Sequence, residues 1–397
     1  MLNKALITKK VQEYIKDNLK SDLPSLILKG SPFEGISVQE LAVQIKGAQI
    51  ALKKFPLFSE NDNIIYPPKL NLEQTSSQIT AEYKATLLKG KSGIDLTAGL
   101  GIDTYFISQN FESFDYCEMN TDLAEIAEHN FRELKADNIQ VFQTDSLERL
   151  NNNPHTYDWI YCDPARRDDK GGKVYKLEDC LPDIPSNLDL LFSKSDQILL
   201  KTSPILDLTA GLRELTCVKE IHIVAVRNEV KEILWILESN FSGTPAVKTL
   251  NFEQQNQQIF SGEFDDSQAS SEYGLTENYL YEPNSSLMKS GMFNQLSQKT
   301  HTKKLHPHSH LYTSNTIVDF PGRIFEITEV LDYNPSYLKK RLKSKKANIT
   351  TRNFGESVEQ LRKRFKVKDG GNDYIFFTTD LNEYRKVIFC KKFTPTT

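Results

Sequence analysis

The stretch Gly93–Phe106, "GIDLTAGLGIDTYF", decides the fold. It opens as a short strand, reaches Asp95, turns through Gly99 and Gly101, and continues as a helix that starts near Asp103. Glycines let a backbone turn tightly and approach a ligand without a Cβ clash. A dinucleotide fingerprint would place a third glycine three residues after Gly101, where this chain has Thr104. The Asp103 carboxylate near the helix start suits the helix dipole but opposes a phosphate. The turn therefore suits a nucleoside ligand that carries no phosphate.

Strand and helix patterns alternate outward from this stretch. "FDYCEM", "NIQVFQTD", "YDWIYCDP" and "DQILLKTS" read as strands, with "TDLAEIAEHNFRELKA" as an intervening helix. "KEIHIVAV", "NEVKEILWILE" and "AVKTLNF" read as strand, helix and strand. The pattern predicts an α/β core over residues 91–260, Rossmann-like, with a mostly parallel seven-stranded sheet between layers of helices. Residues 1–90 read as helical. Ser37 is a candidate cap for "ISVQELAVQIKGAQIALKKF", and "LEQTSSQITAEYKATLL" reads as a second helix. "SGEFDDSQASSEYGLTEN" reads as a hairpin tip or linker within a connecting segment, 261–322. Residues 323–397 read as a small α/β domain: "RIFEITEVL" strand, "NPSYLKKRLK" helix, "KANITTRN" strand, "SVEQLRKRF" helix, then "YIFFTT" and "RKVIFCKK" as a strand pair.

In sheets of this kind ligands bind beyond the carboxyl ends of the strands. Four elements fall there in order. The first is "DLTAGLG", Asp95 to Gly101. Glu118 is placed to accept ribose hydroxyls, and Asp145 to meet an adenine amino group. "DPARR", Asp163 to Arg167, ends the fourth strand. Each element alone is weak, and a strand-end Asp is often a helix cap. Together they point to a nucleoside cofactor without phosphate, such as S-adenosylmethionine.

These residues resemble the motifs of class I S-adenosylmethionine-dependent methyltransferases: "IDLTAGLGIDT", "EMN", "TDS" and "CDPARRD". More narrowly, the chain resembles uncharacterised bacterial methyltransferases with a C-terminal THUMP-like domain, through "EQTSSQITAEYKA", "LLKTSPILDL" and "NITTRNF…DGGNDYIFF". The resemblance implies that Asp95 through Gly101, with Thr97, Ala98 and Gly99, cradle the methionine portion of the cofactor, and Asp103 and Thr104 are expected among the cofactor contacts. It implies that Glu118 holds the ribose, that Asp145 and Ser146 flank the adenine, and that Asp163 and Pro164 face the methyl acceptor; Met119 is expected among the cofactor contacts and Arg166 among the catalytic residues. Ser77 and Thr80, in the segment before the core, are either cofactor contacts or helix-cap residues. Arg166 and Arg167 either touch the acceptor or pair with Asp168 and Asp169.

THUMP domains proper bind RNA, so the resemblance implies RNA as substrate; a base nitrogen is the expected acceptor. "DPAR" also resembles a motif of uracil-5 RNA methyltransferases, but "KTSP", Lys201 to Pro204, lacks their cysteine nucleophile. Methylation of a protein or small molecule, or a non-catalytic scaffold that binds cofactor and RNA, are the alternatives.

Charge agrees with RNA independently. The chain carries −4 overall, yet Asn334 to Lys368 holds twelve Lys or Arg against two Glu. A concentrated basic segment, Lys339 to Lys368, on an otherwise acidic chain suits a local polyanion contact. The five cysteines are scattered, with no CxxC pair, so neither a disulfide framework nor a cysteine zinc site is expected. "HPHSH" places His306, His308 and His310 close in sequence without cysteines; a polar connection is expected there, and no metal. The amino terminus lacks a signal-peptide core and no apolar run is long enough to span a membrane, so a soluble cytoplasmic protein is expected.

Overall fold

Ser37 starts the longest N-terminal helix with a reciprocal cap. Its Oγ accepts from the Glu40 amide at 3.1 Å, and Glu40 Oε2 accepts from the Ser37 amide at 2.8 Å. The computed structural model describes residues 3–166, 176–254 and 256–393. Its N-terminal region holds α1 (Lys9–Asp17), α2 (Leu23–Lys29), α3 (Val38–Lys54), α4 (Lys69–Gln74) and α5 (Gln78–Ala85). Leu41, Ile45, Ala48 and Ala51 of α3 pack with Val11, Ile15, Leu26, Phe55 and Phe58 in one apolar cluster. The segment expected as a single helix is two, α4 and α5. Thr75 and Ser77 adopt extended backbone between them. Short hydroxyl side chains offer the backbone alternatives to a helix, and Ser76 spends its hydroxyl on a buried carboxylate described below.

The core follows as β1 (Gly90–Asp95), α6 (Ile102–Ser108), β2 (Phe111–Glu118), α7 (Thr121–Glu133), β3 (Ile139–Gln143), α8 (Ser146–Asn152), β4 (Trp159–Cys162), α9 (Ile184–Phe192), β5 (Gln197–Thr202), α10 (Leu208–Glu214), β6 (Val218–Val226), β7 (Glu229–Glu238), β8 (Ala246–Phe252) and β9 (Gln257–Glu263). Hydrogen-bonded neighbours run β9-β8-β6-β7-β5-β4-β1-β2-β3. β1 pairs parallel with both β2 and β4, β2 with β3, and β4 with β5. The chain thus winds outward from β1 to β3 and restarts on the other side at β4. In sheets of this order ligands bind at such a reversal, here beyond the carboxyl ends of β1 and β4.

Two expectations are corrected. The sheet has nine strands rather than seven, and "NEVKEILWILE" is the strand β7 rather than a helix. Arg227 and Asn228, both at positive φ, join β6 to β7 in a two-residue hairpin turn. Ile233 to Leu237 are all buried, and a strand buried on both faces loses the alternation that separates it from a buried helix.

The chain divides into two compact units, 1–219 with 234–242, and 220–233 with 243–397. The second contains an eight-stranded sheet built from β10 (Glu272–Tyr273), β11 (Tyr279–Pro283), β12 (Lys303–Lys304), β13 (Tyr312–Ser314), β14 (Gly322–Asp332), β15 (Asn348–Arg352), β16 (Asp373–Thr379) and β17 (Arg385–Lys392), in the order β10-β12-β13-β11-β14-β17-β16-β15. Four helices accompany it: α11 (Ser285–Ser290), α12 (Phe293–Thr300), α13 (Pro335–Leu342) and α14 (Val358–Phe365). Leu338, Leu342, Leu361 and Phe365 of the last two pack on Ile375, Phe377 and Val387. Phe376 and Ile388, one residue out of phase, join Leu280, Leu305 and Phe325 in a separate cluster. Phe354 packs edge-on against Tyr333 and Phe377, and Tyr374 lies against Phe325, so both serve packing. His306 is held by Glu383 and Asn353, and His310 stacks on Phe293. Among the described residues no His, Cys, Asp or Glu group is arranged for a metal, and no helix is long and apolar enough to cross a membrane.

Gly211 in α10 faces Trp235, which is fully buried and donates from Nε1 to Thr202 Oγ1 at 2.9 Å. A Cβ on Gly211 would sit 2.5 Å from Trp235 Cη2. Gly211→Ala is therefore expected to destabilise the fold by about 1–3 kcal/mol, seen as a lower urea midpoint at unchanged slope.

Candidate functional site

Asp95, at the end of β1, is buried. Its Oδ2 accepts from Thr104 Oγ1 at 2.6 Å and its Oδ1 from the Thr97 amide at 3.0 Å. Burial pushes its carboxyl pKa up to about 7 despite these bonds. The turn it anchors needs glycine twice. Gly99 (φ +56°) and Gly101 (φ +80°) are left-handed, and a Cβ on Gly101 would lie 2.4 Å from Phe131 Cζ. Gly99 faces open space instead. Its amide donates to Glu118 Oε2 at 3.0 Å while the Asn120 amide donates to Oε1 at 2.8 Å, which fixes this carboxylate beside the turn. Met119 stands next to it, 70% exposed. An open glycine turn, a fixed carboxylate and an exposed apolar side chain fit the backbone approach, the hydroxyls and the flat base of a nucleoside. Asp145 Oδ1 caps α8 by accepting from the Leu147 and Glu148 amides, and Ser146 is buried behind it.

A buried ionic cluster adjoins this turn. Asp103 Oδ1 pairs with Lys84 Nζ at 3.0 Å, and its Oδ2 accepts from Ser76 Oγ and Tyr161 OH, each at 2.7 Å. Ser76 Oγ accepts in turn from Lys84 Nζ at 2.9 Å and from Lys201 Nζ at 3.3 Å. Lys201 Nζ also lies 2.5 Å from Asp163 Oδ2. The Ser76 hydroxyl thus touches Asp103, Lys84 and Lys201, and Asp163 joins the cluster through Lys201. Burial acts to raise the Asp103 pKa, but the Lys84 and Lys201 charges and the two hydroxyls outweigh it, so the pKa is lowered. The Asp163 amide donates to Thr97 Oγ1 at 2.6 Å, which ties the fourth strand's end to the glycine turn. Cys162 is fully buried and its thiol pKa is raised, as expected for packing rather than nucleophilic attack.

The expected site residues therefore separate into groups. Thr97, Gly99, Gly101, Glu118, Met119 and Asp163 gather at the ends of β1, β2 and β4. Asp95 and Thr104 brace the turn from within, and Ala98 bonds through its amide to the Cys117 carbonyl. Asp103, expected among cofactor contacts, has its carboxylate committed to the ionic cluster. Ser77 and Thr80 bond to each other at 3.1 Å at the start of α5. Pro164 is buried, and Arg166 forms a short backbone ladder with Cys180. Arg167, Asp168 and Asp169 lie outside the described residues. Ser76, Lys84, Tyr161 and Lys201 fall within quoted motifs but carry no role in the sequence reading. A Lys inside an otherwise apolar helix face was the available signal.

Because the pair depresses the Asp103 pKa, it stabilises the fold above the ordinary carboxylate range, and that share is lost as pH falls through it. Lys84→Met is expected to cost about 3–5 kcal/mol at pH 7. The deficit should shrink at pH 4, where a protonated Asp103 no longer needs a cation. Urea unfolding at the two pH values measures the difference.

The second unit offers a different surface. Its basic segment divides by residue type. Arg341, Arg352, Arg362 and Arg364 each pair with a carboxylate, respectively Glu329, Glu282, Asp369 and Glu356. The eight lysines Lys339, Lys340, Lys343, Lys345, Lys346, Lys363, Lys366 and Lys368 are exposed and make no ion pair among the described residues. Backbone bonds from Lys368 to Lys345 and from Ala347 to Lys368 lay two of these lysine-bearing segments side by side.

Residues 279–321 match a family described as a ferredoxin-like domain, and residues 322–392 match one described as THUMP domain-like. No curated protein matches the chain. A crystallised protein of Porphyromonas gingivalis W83, provisionally described as a methyltransferase, is 29% identical over 99% of this chain and 100% of its own, with a TM-score of 0.88. YhhF of Escherichia coli, also provisionally described as a methyltransferase, is 17% identical over 41% of this chain and 85% of its own, with a TM-score of 0.31. An rRNA methylase of Streptococcus thermophilus is 11% identical over 40% of this chain and 94% of its own, with a TM-score of 0.30. These last two likenesses are too slight to carry an argument. The strand order and the whole-length likeness to the Porphyromonas protein give the chain a methyltransferase-like fold, followed by a C-terminal segment that matches a THUMP-like domain.

Proposed function

We propose that the protein is an S-adenosylmethionine-dependent methyltransferase acting on RNA. One observation carries the reading. An open glycine turn with a fixed carboxylate, suited to a nucleoside, is joined by the Thr97–Asp163 bond to a carboxylate–lysine pair suited to an acceptor. The bound cofactor supplies an electrophilic methyl group on a sulfonium; the protein supplies position and electrostatics. Thr97, Ala98, Gly99 and Gly101 would line the methionine portion and Glu118 the ribose. Met119, Asp145 and Ser146 would lie around the adenine, with Asp163 and Pro164 on the acceptor side. In this reading residues 91–260 form the cofactor-binding core and residues 323–397 the RNA-binding domain.

The THUMP-like match and the eight exposed lysines support RNA over a protein or small-molecule acceptor. The "DPAR" segment by itself suits a base nitrogen; the Lys201 partner of Asp163 favours another RNA acceptor, argued below.

Protein incubated with methyl-labelled cofactor and total RNA is expected to place label in RNA. Label found only in protein or small molecules sinks the RNA reading, and absence of transfer favours a non-catalytic scaffold. Glu118→Gln is expected to weaken binding of S-adenosylhomocysteine about 10- to 100-fold by calorimetry, the weight of hydrogen bonds to a charged group. Replacing Lys345, Lys346, Lys366 and Lys368 together with Gln is expected to weaken RNA binding while leaving that calorimetric affinity unchanged. The slope of log affinity against log salt should fall by about 3 for a single strand.

A further inference from the structure

We propose that the acceptor is the ribose 2′-hydroxyl of RNA, with Asp163 as the base that takes its proton and Lys201 as the cation that stabilises the oxygen. The inference rests on the RNA reading above. In the parallel pairing of β4 with β5, Cys162 stands opposite Leu200, so Asp163 and Lys201 are the next residues out on adjacent strands. The Lys201 side chain is 12% exposed and the Asp163 side chain 34%. The carboxylate faces water while the ammonium lies behind it. Lys201 is held there by Ser76 Oγ, itself fixed by Lys84 and Asp103.

A fixed cation at this place discriminates between acceptors. A neutral amine gains positive charge as its nitrogen takes a methyl group, and an adjacent ammonium opposes that. It asks instead for a hydrogen-bond acceptor and a stacking surface, and the segment Asp163–Arg166 offers no aromatic ring. A hydroxyl behaves oppositely. It sheds a proton as it attacks, its oxygen carries negative charge on the way, and a preorganised ammonium stabilises that charge in a water-poor site. Within an RNA strand the hydroxyl that each nucleotide presents is the 2′-hydroxyl.

The step balances without a further reactant. The hydroxyl oxygen bonds to the methyl carbon of the sulfonium donor as the carbon–sulfur bond breaks. Sulfur keeps the electron pair and leaves as a neutral thioether. The hydroxyl proton passes to the Asp163 carboxylate and from there to water. Lys201 keeps its charge throughout.

The test starts from RNA labelled by the purified protein and hydrolysed in alkali. A 2′-O-methyl group blocks cleavage of the adjoining phosphodiester, so label is expected in alkali-stable dinucleotides. Label in mononucleotides overturns the hydroxyl acceptor while leaving RNA methylation intact; no label in RNA overturns the RNA reading itself. Lys201→Met and Asp163→Asn are each expected to slow transfer at least 100-fold, with Lys201→Arg restoring part of the rate. A second readout needs no cofactor. Once the position is mapped, wild-type protein is expected to bind that RNA about 3- to 10-fold more tightly than the same RNA with a single 2′-deoxy substitution, the weight of one hydrogen bond. Lys201→Met, which keeps the Asp163 contact, is expected to narrow that preference. Equal binding of the two RNAs by the wild type overturns the contact.

Discussion

One serine hydroxyl organises the first unit. Ser76 Oγ donates to Asp103 and accepts hydrogen bonds from Lys84 and Lys201, and Lys201 in turn meets Asp163. Lys84 is entirely hidden from water. Charges buried this way are tolerated only when each has an opposite partner and its remaining hydrogen-bonding capacity is met. That demand fixes much of the local structure. The demand falls at the break between α4 and α5, where Thr75 and Ser77 on either side of Ser76 are extended. It sets the position of α5, which must bring Lys84 to the first turn of α6. It also fixes the ends of β4 and β5 relative to one another. The N-terminal helices are therefore part of the site's construction, although all four strand-end elements lie downstream of them.

The cationic groups of the basic segment Lys339 to Lys368 follow another logic. Its arginines meet carboxylates within the second unit, where a planar fork gives directional bonds. Its lysines stay in water on flexible stems. The same net charge thus serves two ends: the arginines hold β14, β15 and their helices in place, and the lysines define the field outside. Counting basic residues along the sequence gives the sign of that field but overstates the number of groups that make it.

The legible part of the fold is the part written in local pattern. The glycine turn, the strand ends at Glu118, Asp145 and Asp163, and the strand–helix rhythm after Gly322 all rest on residues close in sequence. What escaped rests on distance or on the loss of pattern. Lys201 and Ser76 are 125 positions apart, and nothing about either residue alone marks it as half of a contact. Tyr161 alternates with apolar neighbours along β4 and reads as core until its hydroxyl is seen to reach Asp103. β7 was misread because five consecutive buried apolar residues satisfy both periodicities, and the deciding signal was the Arg227–Asn228 turn, which lacks the glycine that usually marks such hairpins. Asp103 was correctly placed at a helix start, but its partners lie on α5 and β4, so its role could not be read from the turn alone.

Asp95 has a consequence of its own. Its carboxyl, sealed at the end of β1 and pushed up to about 7, binds a proton more readily in the folded chain than in the unfolded one. Between the ordinary carboxylate range and neutrality, folding therefore takes up a proton at this position, and the proton acts as a ligand of the native state. Most acids in a folded protein lend stability as pH rises; this one withdraws it, opposite in sense to Asp103 four residues beyond the turn's first glycine. The interior charge beside the glycine turn is thus variable near neutral pH, and a cation arriving there would release that proton to the solvent.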